Sequence, residues 1–326
     1  MRGPKPPHAW LFTGDEGLGK ASLAKQLAAR LLAEAADPSL RHSANPIDDN
    51  HSTARLIAAR SHPDYVLVER EIWDKSQPPR LVPYDLRKAD DKPSRSIRVI
   101  QIRWLHQKLA LAPSMSSRRI VVMDAADEFE PNAANALLKA LEEPAQGTVF
   151  ILISHSPGRL LPTIRSRCRV LRVSSLSADD MRTAVRAQLP DVDPVELAAL
   201  IELGQGSPGR AIKLAGVNVA GMLNSLRSAL ETGDGDNRVR LALASSMATK
   251  SAQPRFEAFL GLVPAFLASQ ARHAQGRPLA AILAAWEACR DLAAQAIPGS
   301  LDPQSVAMAL TGHVAALAPL HRGAKA

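Results

Sequence analysis

A chain of 326 residues, 46% hydrophobic and 22% charged, is long enough for two or three domains, each with its own buried core. It has no apolar run of the about eighteen residues that a membrane span needs and no signal peptide. Its two cysteines, Cys168 and Cys289, are too few for a disulfide framework or a four-thiolate metal site, so the sequence predicts a soluble protein of the reducing cytoplasm. A formal net charge of +8 and a pI near 9.8 favour a polyanionic partner such as DNA without requiring one.

In chain order, His8–Thr13 is a short apolar run ending in glycine, and Ser22–Leu32 carries helical spacing. Strand, glycine loop and helix follow in the order that a phosphate site requires. Residues 36–60, with Asp37-Pro38, Asn45-Pro46 and Asp48-Asp49-Asn50, read as loop. Tyr65–Val68 is a second strand, and residues 73–96, rich in Pro, Lys, Asp and Arg, form an exposed connection. Ile97, Ile100, Trp104, Leu105 and Leu109 predict a helix over 97–111, and Arg119–Met123 a buried strand ending in the carboxylate of Asp124. A helix over 133–142 stops before Pro144; Thr148–Ile153 and Arg169–Val173 then read as strands. Apolar strands alternating with helices imply a parallel sheet covered on both faces.

After Val173 the strand signals end. Ser177-Ala178-Asp179-Asp180 is a capping start, a helix over 194–203 precedes Gly204–Arg210, and the remainder is alanine- and leucine-rich at helical spacing. The expected domains are an α/β domain at 1–174, a small helical domain at 175–217 and an all-α domain at 218–326.

Gly14-Asp15-Glu16-Gly17-Leu18-Gly19-Lys20 matches the glycine–lysine part of a phosphate loop, in which Gly14, Gly17 and Gly19 let backbone N–H groups wrap a phosphate and Lys20 reaches it. The pattern then asks for a Ser or Thr hydroxyl to ligate Mg²⁺; the chain has Ala21, and Ser22 is rotated away by about 100° along the helix. Asp124 supplies the strand-end carboxylate of such a site, but Ala125 stands where a water-polarising glutamate would follow, and Glu128 lies farther along. Two readings stand side by side: a degenerate nucleotide site, or a strand-to-helix turn with a helix-capping carboxylate.

Asp124-Ala125-Ala126-Asp127, then Asn135-Ala136-Leu137-Leu138-Lys139-Ala140-Leu141-Glu142-Glu143-Pro144, then Ser166-Arg167-Cys168, all behind a glycine loop, resemble the clamp-loader branch of the AAA+ superfamily from residue 8 to about 215. The resemblance implies an AAA+ α/β domain, a helical lid and a collar that oligomerises. It implies that Arg167 sits at a subunit boundary as an arginine finger for a neighbour's ATP, the alternative being a salt-bridged surface arginine, and that Arg210 occupies the second-sensor position of the lid, where a structural role is equally open. Gly14, Gly17, Gly19, Lys20, Asp124 and Arg210 form the degenerate nucleotide site. No cofactor is then required: ATP is optional and not hydrolysed, and no zinc is expected, because residues 36–63 lack cysteine and His42, His51 and His62 are irregularly spaced.

The expected partners are the other clamp-loader subunits, namely gamma/tau-type motors and delta. Primer-template DNA is reached through the assembly and the sliding clamp mainly indirectly, with no membrane. The helix that precedes the first strand in such proteins is expected to be absent, and Ser154-His155 falls at the first-sensor position without indicating which residue acts. Arg80, Arg87, Lys88, Arg95, Arg98 and Arg103 are a basic run that reads either as a DNA-facing surface or as a solvated face. Cys168, with no matched histidine, reads as packing. The function expected is a stator that hydrolyses no ATP itself; the alternatives are an active ATPase motor of a clamp loader and a scaffold binding neither nucleotide nor DNA.

Overall fold

The structure is a computed structural model in which residues 7–42, 46–71 and 93–319 are described. The chain folds as two compact units, Met1–Ser175 and Leu176–Ala326.

In the first unit, β1 (Ala9–Thr13), β2 (Tyr65–Val68), β3 (Arg119–Met123), β4 (Thr148–Ser154) and β5 (Arg169–Arg172) form one parallel sheet in the order β2-β3-β4-β1-β5. Successive residues of a strand face opposite sides, so the continuous apolar runs feed two cores. Leu11, Val121, Met123, Phe150 and Leu152 pack on one side with α3 (Val99–Leu109), α4 (Pro131–Glu142) and α5 (Pro162–Arg165) through Ile102, Leu105, Leu137, Leu141 and Ile164. Phe12, Ile120, Val122, Ile151 and Ile153 pack on the other with α1 (Lys20–Ala36) and α2 (Ser52–Ala58) through Ala24, Ala28, Leu32 and Ile57. The expected sheet is present, and its strands lie within a residue of the ranges read from apolar runs.

Helix ends differ from the sequence reading by two to four residues, α1 spanning Lys20–Ala36 rather than 22–32 and α3 Val99–Leu109 rather than 97–111, and two differences have a local cause. Pro131 opens α4 two residues earlier than its apolar pattern does, because proline at the first turn forfeits no intrahelical bond. Within the segment read as loop, α2 forms and Pro38–His42 makes a short 3₁₀ turn. The start of α2 is capped by His51, whose Nδ1 accepts from the Thr53 N–H at 3.2 Å; histidine is not among the usual capping residues, and seven residues are too few to display a helical period.

The second unit contains α6 (Ala178–Gln188), α7 (Pro194–Gly204), α8 (Pro208–Lys213), α9 (Val219–Thr232), α10 (Arg238–Ser245), α11 (Gln253–Ala271), α12 (Gly276–Ala296) and α13 (Pro303–Ala315). Ser177 caps α6 as its sequence suggests, accepting from the Asp180 N–H at 3.2 Å. Met181, Leu197, Leu200 and Leu203 share a single hydrophobic cluster with Leu223, Leu226, Phe259, Phe266 and Leu310. Among the described residues no helix is long and apolar enough to cross a membrane.

Candidate functional site

The carboxyl ends of the parallel strands set the site. β1 runs into the glycine loop, β2 into Glu69, β3 into Asp124 and β4 into Ser154 and His155, so these residues emerge along one edge of the sheet. Open α/β sheets bind their ligands at such an edge.

In the loop, Gly14, Gly17 and Gly19 have φ of 144°, 80° and 80°. At Gly14 a Cβ would lie 2.4 Å from the Val173 carbonyl oxygen, so both conformation and space demand glycine there. Lys20 is 3% exposed, and its Nζ donates to the carbonyl oxygens of Gly14 and Asp15, each at 2.6 Å. The lysine therefore closes the loop on itself. Burial lowers its pKa, against the opposing pull of Asp124, Asp127, Asp15 and Glu16. Ala21 and Ser22 both face solvent at the start of α1.

Asp124 is half-buried and lines a cleft of about 560 Å³ with Glu16, Glu69, Arg70, Ala125, Glu128 and His155. Burial raises the pKa of Asp124, with Glu69 adding to the rise and His155 opposing it. Burial raises that of Glu128 too, with Arg70, whose Nε lies 2.9 Å from a Glu128 carboxylate oxygen, opposing it. Four carboxylates line this cleft, of which Glu128 is paired with Arg70 and Glu69 with Arg60, while Lys20 acts on Asp124 from the loop. The first-sensor position resolves into two residues with different surroundings: Ser154 is fully buried, while the His155 N–H donates to Asp127 at 3.0 Å. Among the described residues, neither Ser154 Oγ nor His155 Nδ1 has a hydrogen-bond partner.

The residues present do not fit Mg²⁺-ATP in the manner of a hydrolysing site. A methyl group stands at Ala21, where a hydroxyl would ligate the metal, and another at Ala125, where a carboxylate would polarise water.

Arg167 lies elsewhere on the unit, on the turn after α5. Its Nη1 donates to the Thr163 carbonyl oxygen at 2.9 Å and its Nη2 pairs with Glu142 at the end of α4. The side chain keeps 34% of its surface exposed. The two motifs that stand out in the sequence thus meet in space. Ser166 donates to Thr163 O at 3.1 Å, and Cys168 packs against the core with its thiol pushed up to about 11 by burial, which leaves it inert as a nucleophile.

Of the remaining sequence candidates, Arg210 is on α8 in the second unit, where its backbone N–H is capped by Ser207 Oγ at 3.3 Å. His51 caps α2, and His62 Nδ1 accepts from the Asp64 N–H at 3.1 Å. Arg80, Arg87 and Lys88 lie outside the described residues. Arg95 and Arg103 are exposed and Arg98 opens α3. Glu16 and Glu69 were not singled out in the sequence; the signal for Glu69 is the one that marks Asp124, a carboxylate directly after an apolar strand.

A glycine loop after β1, a carboxylate after β3, the strand order β2-β3-β4-β1-β5 and a Ser-Arg-Cys turn before β5 define an AAA+ module of the clamp-loader branch. The family model described as DNA polymerase III, delta subunit, matches residues 1–177, and the chain belongs to that family. Its relatives include proteins named DNA polymerase III subunit delta'. One, from Pseudomonas aeruginosa, is 37% identical over 65% of this chain and 57% of its own; another, from Bacillus subtilis, is 31% identical over 64% and 54%. The chain thus matches little more than half the length of these relatives. Among solved structures, a DNA polymerase III gamma subunit-related protein from Thermotoga maritima aligns over 96% of this chain and 95% of its own, at 16% identity and a TM-score of 0.43.

Proposed function

We propose that this chain is a clamp-loader subunit of a replicative DNA polymerase III that hydrolyses no ATP itself and lends Arg167 to the ATP of an adjacent motor subunit. The carrying observation is that Arg167 reaches the surface from a fixed backbone, while methyl groups stand at Ala21 and Ala125 where a hydrolysing site needs a hydroxyl and a carboxylate. A planar, permanently charged guanidinium stabilises charge on a transferring phosphoryl group, and supplying it in trans couples hydrolysis to assembly. The methyl groups of Ala21 and Ala125 support the absence of hydrolysis, since they stand where such a site places the hydroxyl that ligates Mg²⁺ and the carboxylate that polarises water. In this reading the protein works in the cytoplasm with gamma/tau-type motors and a delta subunit. It meets primer-template DNA through the assembly and the sliding clamp indirectly.

The test is reconstitution with the motor subunits and measurement of ATP turnover. Arg167→Ala is expected to lower turnover at the site it completes by about 10³-fold or more, the range for an arginine finger. Lys20→Ala is expected to leave turnover near wild type. The reverse pattern, or turnover by the purified chain alone, would make the chain an active motor.

A further inference from the structure

We propose that Glu142 is a latch on Arg167: it holds and neutralises the guanidinium until an incoming phosphoryl group displaces it. This deepens the arginine-finger reading and rests on it.

The geometry has three parts. First, the backbones on both sides are fixed. The Leu141 carbonyl at the end of α4 is bonded to His8 Nε2 at 2.9 Å, and the next carbon skeleton, Glu143-Pro144, ends the helix. On the other side Ile164 is fully buried, and the Arg167 N–H donates to its carbonyl at 3.1 Å. Second, both side-chain tips face water, with 34% of Arg167 and 47% of Glu142 exposed. An ion pair of this kind is weak and readily exchanged. Third, the guanidinium is shared unevenly. Nη1 is steadied by the neutral Thr163 carbonyl, while Nη2 faces the carboxylate.

A γ-phosphate approaching the same guanidinium meets the negative charge of Glu142. The two anions repel, and the carboxylate, being half-exposed, is the one that can swing into water. Thr163 carries no charge and can stay. Binding at the subunit boundary therefore exchanges one anion for another on a guanidinium whose base is already in place. In the free chain the carboxylate partly neutralises the guanidinium towards other phosphates in solution.

The latch opposes docking, so its removal strengthens it. Titrating this chain into its motor subunits at saturating ATP, Glu142→Gln is expected to lower the half-saturating concentration about two- to five-fold, the span of an exposed ion pair, without lowering saturated turnover. The gain shrinks as salt rises, because salt already screens the wild-type pair. Glu142→Ala moves in the same direction, and in an Arg167→Ala background, where half-saturation is read by direct binding of the subunits because turnover is lost, Glu142→Gln changes nothing further. A merely structural Glu142 gives the opposite result, weaker assembly together with a lower melting temperature. If Glu142→Gln leaves half-saturation unchanged or raises it while Arg167→Ala still abolishes turnover, the latch is overturned and the finger stands. If Arg167→Ala turns over like wild type, the finger reading falls and the latch with it.

Discussion

Asp124 leaves β3 for a cleft it shares with Glu16, Glu69 and Glu128, and burial holds its pKa above the usual 3.8. The folded protein therefore takes up the Asp124 proton more readily than the unfolded chain does. The favourable contribution of this group is complete below the unfolded value near 3.8 and is lost as pH rises through the raised folded value. At neutral pH the ionised carboxylate is a net burden on the fold. Asp124→Asn is expected to raise the melting temperature at pH 7, and the difference from wild type is expected to vanish as pH falls through the carboxylate range. Thermal melts from pH 3.5 to 8 check this; a variant less stable at pH 7 would mean that Asp124 is held in charged form by a partner. The same residue shows what sequence can convey. An acid directly after a buried strand is legible as a site residue, whereas its protonation preference depends first on its burial and then on His155 and Glu69, which reach the cleft from two other strands.

Among the elements, the link between β2 and β3 has a concentrated dependence on one carboxylate. Asp64 is fully buried just before β2, and its oxygens accept from three successive backbone N–H groups, Ser114 at 2.6 Å, Met115 at 2.8 Å and Ser116 at 3.1 Å. Arg119, at the start of β3, balances this loop from the other side by donating to the carbonyl oxygens of Lys108, Leu111 and Ala112. Asp64→Ala leaves three donors without their acceptor and is expected to cost about 3 kcal/mol, from the worth of hydrogen bonds to a charged group. Denaturant titration at constant m-value measures it, and a loss under about 1 kcal/mol would show that water replaces the carboxylate. The strands themselves are legible because each is an apolar run, and α4 because its leucines and alanines recur at helical spacing and Pro144 stops it, although its start at Pro131 precedes that pattern. The Asp64 cap and the Glu142–Arg167 pair are not. Each joins residues tens of positions apart, and no local period records such a pairing. For α2 the obstacle is length together with an unusual capping residue.

For the whole molecule, the sequence divides the helical part at residue 217 into a lid and a collar, and the cluster of buried side chains gives a direct way to test that division. α7 packs on α8, α9 and α11, and it sinks Leu197, Leu200 and Leu203 to 4% exposure or less. At about 2 kcal/mol for each buried leucine, removing α7 forfeits roughly 6 kcal/mol before the newly bared faces of α9 and α11 are counted. A domain of this size is stable by only about 5–15 kcal/mol, so that loss is a large share of the total. A fragment of residues 176–326 is accordingly expected to melt in one cooperative transition. A fragment of 218–326 is expected to keep helical circular dichroism while losing a sharp transition and binding a hydrophobic dye. Equal cooperativity in the two fragments would instead establish 218–326 as an autonomous collar. In the expected case, strain placed on α6–α8 is felt in the packing of the collar helices, because both draw on the same buried leucines and phenylalanines.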